Sequence, residues 1–110
     1  MSEIFNFNRI GKDGLLTGNV HWKGDSYVGG EIKGNIYVEG GTLYVEESGV
    51  IHGDIKVSTA IIRGTVHGNI EAKDRLIIQS PALIKGKIIS GKLSVFPGAQ
   101  LFINAHVDTL

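Results

Sequence analysis

A nine-residue phrase, GVIHGDIKV at residues 49–57, can be laid six times along this chain, and that recurrence restricts the fold more than any other feature. Its other copies begin at Gly14, Gly30, Gly64, Ala82 and Ala99, so the starts fall 15 to 19 residues apart and 17 on average. A unit this short cannot bury an apolar face alone. Repetition of such units at a nearly fixed period marks a solenoid, in which each turn packs on its neighbours and together they enclose one core.

Within the phrase, odd positions are aliphatic or small and even positions are mostly polar, the period-two alternation of a half-buried strand. The third position runs Leu16, Ile32, Ile51, Val66, Ile84, Leu101, and the seventh runs Val20, Ile36, Ile55, Ile70, Ile88, Ala105. Both columns are expected to point inward, each side chain stacking on its equivalent about 4.8 Å away. Between them stand Gly18, Gly34, Gly53, Gly68 and Gly86, then Ile103. A glycine on the inner side of every strand marks a corner of the coil, and Ile103 predicts a differently shaped final turn.

The spacers carry a further strand, with Ser26 and Val28, Leu43 and Val45, Ala60 and Ile62, Leu76 and Ile78, and Leu93 and Val95 as inward pairs. Longer spacers insert a turn, as in Glu46-Glu47-Ser48, Gln79-Ser80-Pro81 and Phe96-Pro97-Gly98. A repeat of about 17 residues at about 3.3 Å each is long enough for three short faces. The predicted architecture is all-β, a parallel β-helix of about six rungs over residues 13–107, with tails at 1–12 and 108–110.

Composition removes several classes of function. Basic and acidic residues balance at 11 each, which disfavours a nucleic-acid binder, because such proteins need a basic surface to neutralise phosphates. There is no cysteine, hence no disulfide and no thiolate metal site, as suits a reducing compartment. No phosphate-cradling loop and no nucleophile elbow occurs, the glycines being spread at rung spacing. His52 and His67 share one outward column in adjacent rungs, but no third ligand joins them there, and a solvated ladder is the simpler account. Asn19, Asn35, Asp54, Asn69, Lys87 and Asn104 form another column, expected to be an amide ladder at a turn. No catalytic residue, metal site, nucleotide or other cofactor is expected.

Two outward features point to association. The column Thr17, Lys33, His52, His67, Lys85 ends in Phe102, an aromatic replacing polar residues in the last rung. Its alternative role is a local cap packed on Phe96 or on a returning tail. Solenoid ends expose unpaired strand edges unless capped. Leu101, Phe102, Ile103 and Val107 at one end, with Leu15 and Leu16 at the other, are therefore the candidate polymerisation surface. Tyr27, Tyr44, Ile61 and Ile77 align on the outside of the spacer strands, either as a lateral or partner-binding face or as a cross-rung ladder. In the N-terminal tail, Ile4, Phe5 and Phe7 lie near Arg9 and Lys12, a pattern for membrane contact or for capping the first rung.

The recurring G-x-[IV]-x-G-x-[IV] frame, the segment from Lys23 to Ile36 and the run Pro97-Gly98-Ala99-Gln100-Leu101 resemble the bactofilins, bacterial polymer-forming cytoskeletal proteins. The likeness covers about residues 13–107. It implies a right-handed β-helix that polymerises end to end without nucleotide beneath the cytoplasmic membrane and scaffolds cell-shape or wall-synthesis factors. Ile103 departs from the glycine that the family tends to carry in its closing rung. A β-helical protein-binding module that does not polymerise is the alternative reading.

Overall fold

The computed structural model describes residues 8–107 of the chain. Every regular element there is a strand: β1 (Asn8–Ile10), β2 (Leu15–Thr17), β3 (Val20–Lys23), β4 (Ser26–Val28), β5 (Glu31–Lys33), β6 (Ile36–Glu39), β7 (Thr42–Val45), β8 (Val50–His52), β9 (Ile55–Ile62), β10 (Thr65–His67), β11 (Ile70–Ile78), β12 (Leu83–Ser90), β13 (Leu93–Val95) and β14 (Gln100–Val107). All pairings are parallel and join residues one repeat apart, such as Ile32 with Ile51 and Val66 with Ile84. The result is a parallel β-solenoid of about six turns.

Three faces run along its axis. One stacks β2, β5, β8, β10 and the first halves of β12 and β14. The second stacks β3, β6, the starts of β9 and β11, and the ends of β12 and β14. The third stacks β1, β4, β7, the ends of β9 and β11, and β13. The corner between the second and third faces differs in length from turn to turn, so β9 bends through it as one strand whereas Gly40 and Gly41 interrupt the turn before.

The inward columns predicted from the alternation form the core. Ile32, Ile51, Val66 and Ile84 are fully buried, as are Ile36, Ile55, Ile70 and Ile88 on the second face and Leu43, Ala60 and Leu76 on the third. Burying an aliphatic side chain of this size contributes about 1.5–3 kcal/mol, and the contribution recurs at each turn. Ser26 and Ser90 are the buried polar residues among those described, and both hydroxyls donate to nearby carbonyls, of Gly24 and Lys92 respectively.

The glycine column does form the corner between the first and second faces. Gly53 has φ 153°, and a Cβ there would lie well inside van der Waals contact of the Gly34 carbonyl oxygen one turn below. No non-glycine residue among those described has a positive φ, so Ile103, paired with Gly86, turns the last corner with different backbone angles.

Beside this corner the Asn column is a ladder, though of a different kind from stacked amides. Each side-chain oxygen accepts from the backbone N–H of the residue one turn along: Asn19 Oδ1 from Asn35 at 3.1 Å, Asn35 Oδ1 from Asp54 at 2.9 Å, Asp54 Oδ1 from Asn69 at 3.1 Å and Asn69 Oδ1 from Lys87 at 3.2 Å. The arrangement satisfies amides that the corner removes from the strand ladder. Replacing Asn69 by leucine should therefore destabilise the chain by about 0.5–1.5 kcal/mol in urea unfolding, because the Lys87 N–H loses its acceptor. An unchanged midpoint would mean that water serves that N–H equally well.

The solenoid also begins earlier than the repeat indicates. Asn8–Ile10, within the stretch expected to be a tail, forms β1 and pairs with β4 in the same 18-residue register throughout, Asn8 with Ser26 and Ile10 with Val28. Asn8 Nδ2 donates to the Lys23 carbonyl at 2.9 Å and Ile10 packs against the core, so short polar and apolar anchors hold a segment that lacks the phrase. Ile4, Phe5 and Phe7 lie outside the described residues.

Candidate functional site

Strands with a single partner define the two ends of the stack. At the N-terminal end β1, β2 and β3 each pair on one side, and at the C-terminal end β13 and β14 do. Among the described residues, no rung covers the backbone N–H and C=O groups on their other edges.

Among the described residues, the C-terminal end exposes more large apolar side chains. Phe102 is 62% exposed, held with its ring 5.7 Å from Lys85 Nζ, the residue beneath it in the column. Leu101 and Ile103 are half-buried against the core. Val107 belongs to β14, but its side chain lies outside those described. Two contributors escaped the sequence reading. Val95 stands above Ile78 in an inward column, as expected, yet it is 46% exposed because no described rung follows on that face. Phe96, at the adjoining corner, is 49% exposed. With Phe96 and Phe102 both this open to solvent, neither is buried as a local cap over the other. The signal for Val95 was present in the alternation, but its exposure depends on what stacks above it.

At the N-terminal end Leu15 is 63% exposed and Leu16 half-buried on β2. Ile10 and Trp22 add further half-buried apolar surface. The structure thus brings Leu15 and Leu16 together at one end and Leu101, Phe102 and Ile103 at the other, separated by the length of the stack.

The outward column of the third face is assembled as the register requires: Tyr27 beside Tyr44, then Ile61, then Ile77. The tyrosine rings stack with centroids 4.8 Å apart and planes 7° from parallel, and Arg9 lies 5.8 Å over the Tyr27 ring while pairing with Glu46 at 3.3 Å. All four side chains are half-buried by one another, which makes the column a cross-rung ladder as well as a low apolar ridge.

On the first face, the His52 and His67 rings stack at 5.2 Å, 13° from parallel. The carboxylate beside them is Glu31, with Oε2 3.5 Å from His52 Nε2, reached from the neighbouring outward column of that face. No group of three metal-binding side chains converges among the described residues. No helix there is long and apolar enough to cross a membrane.

Among the described residues both ends of the coil carry apolar side chains beside strands with a single partner, and the chain is similar to known proteins. The model of one family, described as "Bactofilin: Polymer-forming cytoskeletal", matches residues 8–106. Bactofilin BacO of Myxococcus xanthus (strain DK1622) is 31% identical over 99 residues, covering 90% of this chain and 78% of BacO. Bactofilin BacP of the same organism is 30% identical over 91 residues, covering 83% of this chain but 38% of BacP. No solved structure matches. The family match begins at Asn8, where β1 begins, and ends within the last strand, so from its first strand to its last this chain belongs to the bactofilin family.

Proposed function

We propose that this chain is a structural protein that stacks end to end, without nucleotide, into filaments at the inner face of the cytoplasmic membrane, where it scaffolds cell-shape or wall-synthesis factors. The observation that carries this reading is the pairing of open strand edges with Phe102, Leu101 and Ile103 at one end and Leu15 and Leu16 at the other. Burying an exposed phenylalanine contributes about 1.5–3 kcal/mol, and hydrogen bonds along a newly covered edge add direction to that contact. Residues Ile4, Phe5 and Phe7 provide membrane contact, a few large apolar groups beside Arg9 sufficing for weak, reversible attachment. The ridge Tyr27, Tyr44, Ile61, Ile77 serves lateral association or partner binding, where small contacts sum along a filament.

Sedimentation and negative-stain microscopy of the purified chain without nucleotide test the central claim. Filaments above a critical concentration, unchanged by added ATP or GTP, are expected. Single particles at every concentration would favour a β-helical binding module that does not polymerise.

A further inference from the structure

The outward column of the second face is complementary to its own reverse. Register sets Tyr37 beside Lys56, Lys56 beside Glu71 and Glu71 beside Ile89, so along the axis the column runs apolar, basic, acidic, apolar. All four side chains are exposed, and Tyr37 and Ile89 are the large apolar groups open to solvent on this face among the described residues. Lys56 Nζ and Glu71 Oε2 stand 3.9 Å apart with both side chains more than half exposed, so each keeps donor or acceptor capacity for a further partner. The corner beside the column follows the same order. It holds residues 39–42 in the turn of Tyr37, Ser58-Thr59 in that of Lys56, Lys73-Asp74-Arg75 in that of Glu71 and Gly91-Lys92 in that of Ile89. Residues from all four corners line one groove together with the column. When the order is reversed, a longer corner meets a shorter one at every level.

We propose that a second copy of this chain packs antiparallel on this face, about a two-fold axis that passes between Lys56 and Glu71. Tyr37 then meets Ile89 of the second copy and Lys56 meets its Glu71, each contact being made twice as in any isologous interface. Glu39 comes level with Lys92 of the second copy, a further opposite pair. Other arrangements set like charges together. A parallel one puts Lys56 against Lys56 and Glu71 against Glu71, and moving the antiparallel axis onto either residue makes one of those contacts. Such juxtapositions repel, so the register is fixed by exclusion as well as by attraction. The contact is small and of the weak class, which makes trapping a better readout than size. It uses neither end of the stack nor the ridge of Tyr27, Tyr44, Ile61 and Ile77, so it does not depend on filament assembly.

Because the chain has no native cysteine, disulfide trapping tests the register. Chains carrying Tyr37→Cys are mixed with chains carrying Ile89→Cys and oxidised mildly. The proposed packing brings positions 37 and 89 level across the interface, whereas two copies of either position lie three turns apart, about 14 Å and beyond disulfide span. End-to-end stacking leaves whole turns between positions 37 and 89 of neighbouring copies and does not form this bond. The mixed disulfide should exceed either homotypic one at least about tenfold. Adding Lys56→Glu to both chains should lower its yield about tenfold, and combining Lys56→Glu with Glu71→Lys in both should restore it. Circular dichroism checks that each variant keeps its strand signal. Equal yields of the three disulfides, an excess of a homotypic one, or no disulfide would overturn the proposal. So would a mixed disulfide that is indifferent to Lys56→Glu or that the double change fails to restore.

Discussion

Filaments of this chain should disappear when arginine replaces Phe102. The side chain is 62% exposed in the single chain, so its replacement costs the fold little. In a stacked contact the same position is desolvated, and an uncompensated charge there, next to Lys85 in its column, costs about 3–5 kcal/mol. At 1.4 kcal/mol per tenfold, that raises the critical concentration for assembly roughly 100-fold or more. Sedimentation across a concentration series reads the shift, and circular dichroism checks that the variant keeps its strand signal. Filaments that persist at the wild-type concentration would move the contact away from Phe102 and toward Leu15 or the face carrying Tyr44.

Within the chain itself the largest expected effect belongs to Gly53→Ala. Its methyl group would meet the Gly34 carbonyl, and the backbone there lies at a φ that side chains disfavour. Strain of about 1–3 kcal/mol and overpacking of about 1–3 kcal/mol act together. For a domain of this size each kcal/mol moves the melting temperature by roughly 4–8 °C, so the combined cost of about 2–6 kcal/mol implies a fall of roughly 8–48 °C. Gly18→Ala separates the two causes. That glycine has φ 121° but nothing among the described residues within 4 Å of the added methyl, because no described turn lies beneath it. Its loss should be about half as large. Equal losses at both sites would show that backbone strain alone governs the corner.

The membership in a polymer-forming cytoskeletal family and the ends of the stack support each other from different directions. The family match speaks for the whole coil. The single-partner strands β1, β2, β3, β13 and β14 mark the edges that no other described strand covers. Neither depends on a pocket or a reactive side chain.

Much of this was legible before any coordinates. The alternation in GVIHGDIKV, the column Ile32, Ile51, Val66, Ile84 and the glycines between the inward residues are local consequences of strand geometry, where successive side chains point to opposite sides. Inward and outward follow from covalent structure once the strand is accepted. Tertiary structure decided what depends on a neighbour. Asn35 was placed at a corner by its spacing, but only the stacking of turns shows that its oxygen takes the Asp54 N–H. Asn8–Ile10 carries no copy of the phrase and becomes a strand because β4 offers it an edge. Val95 and Ile78 occupy the same inward column, yet one is 46% exposed and the other buried. The difference is that a further turn covers Ile78 and no described turn covers Val95, and burial is a property of the stack rather than of the residue.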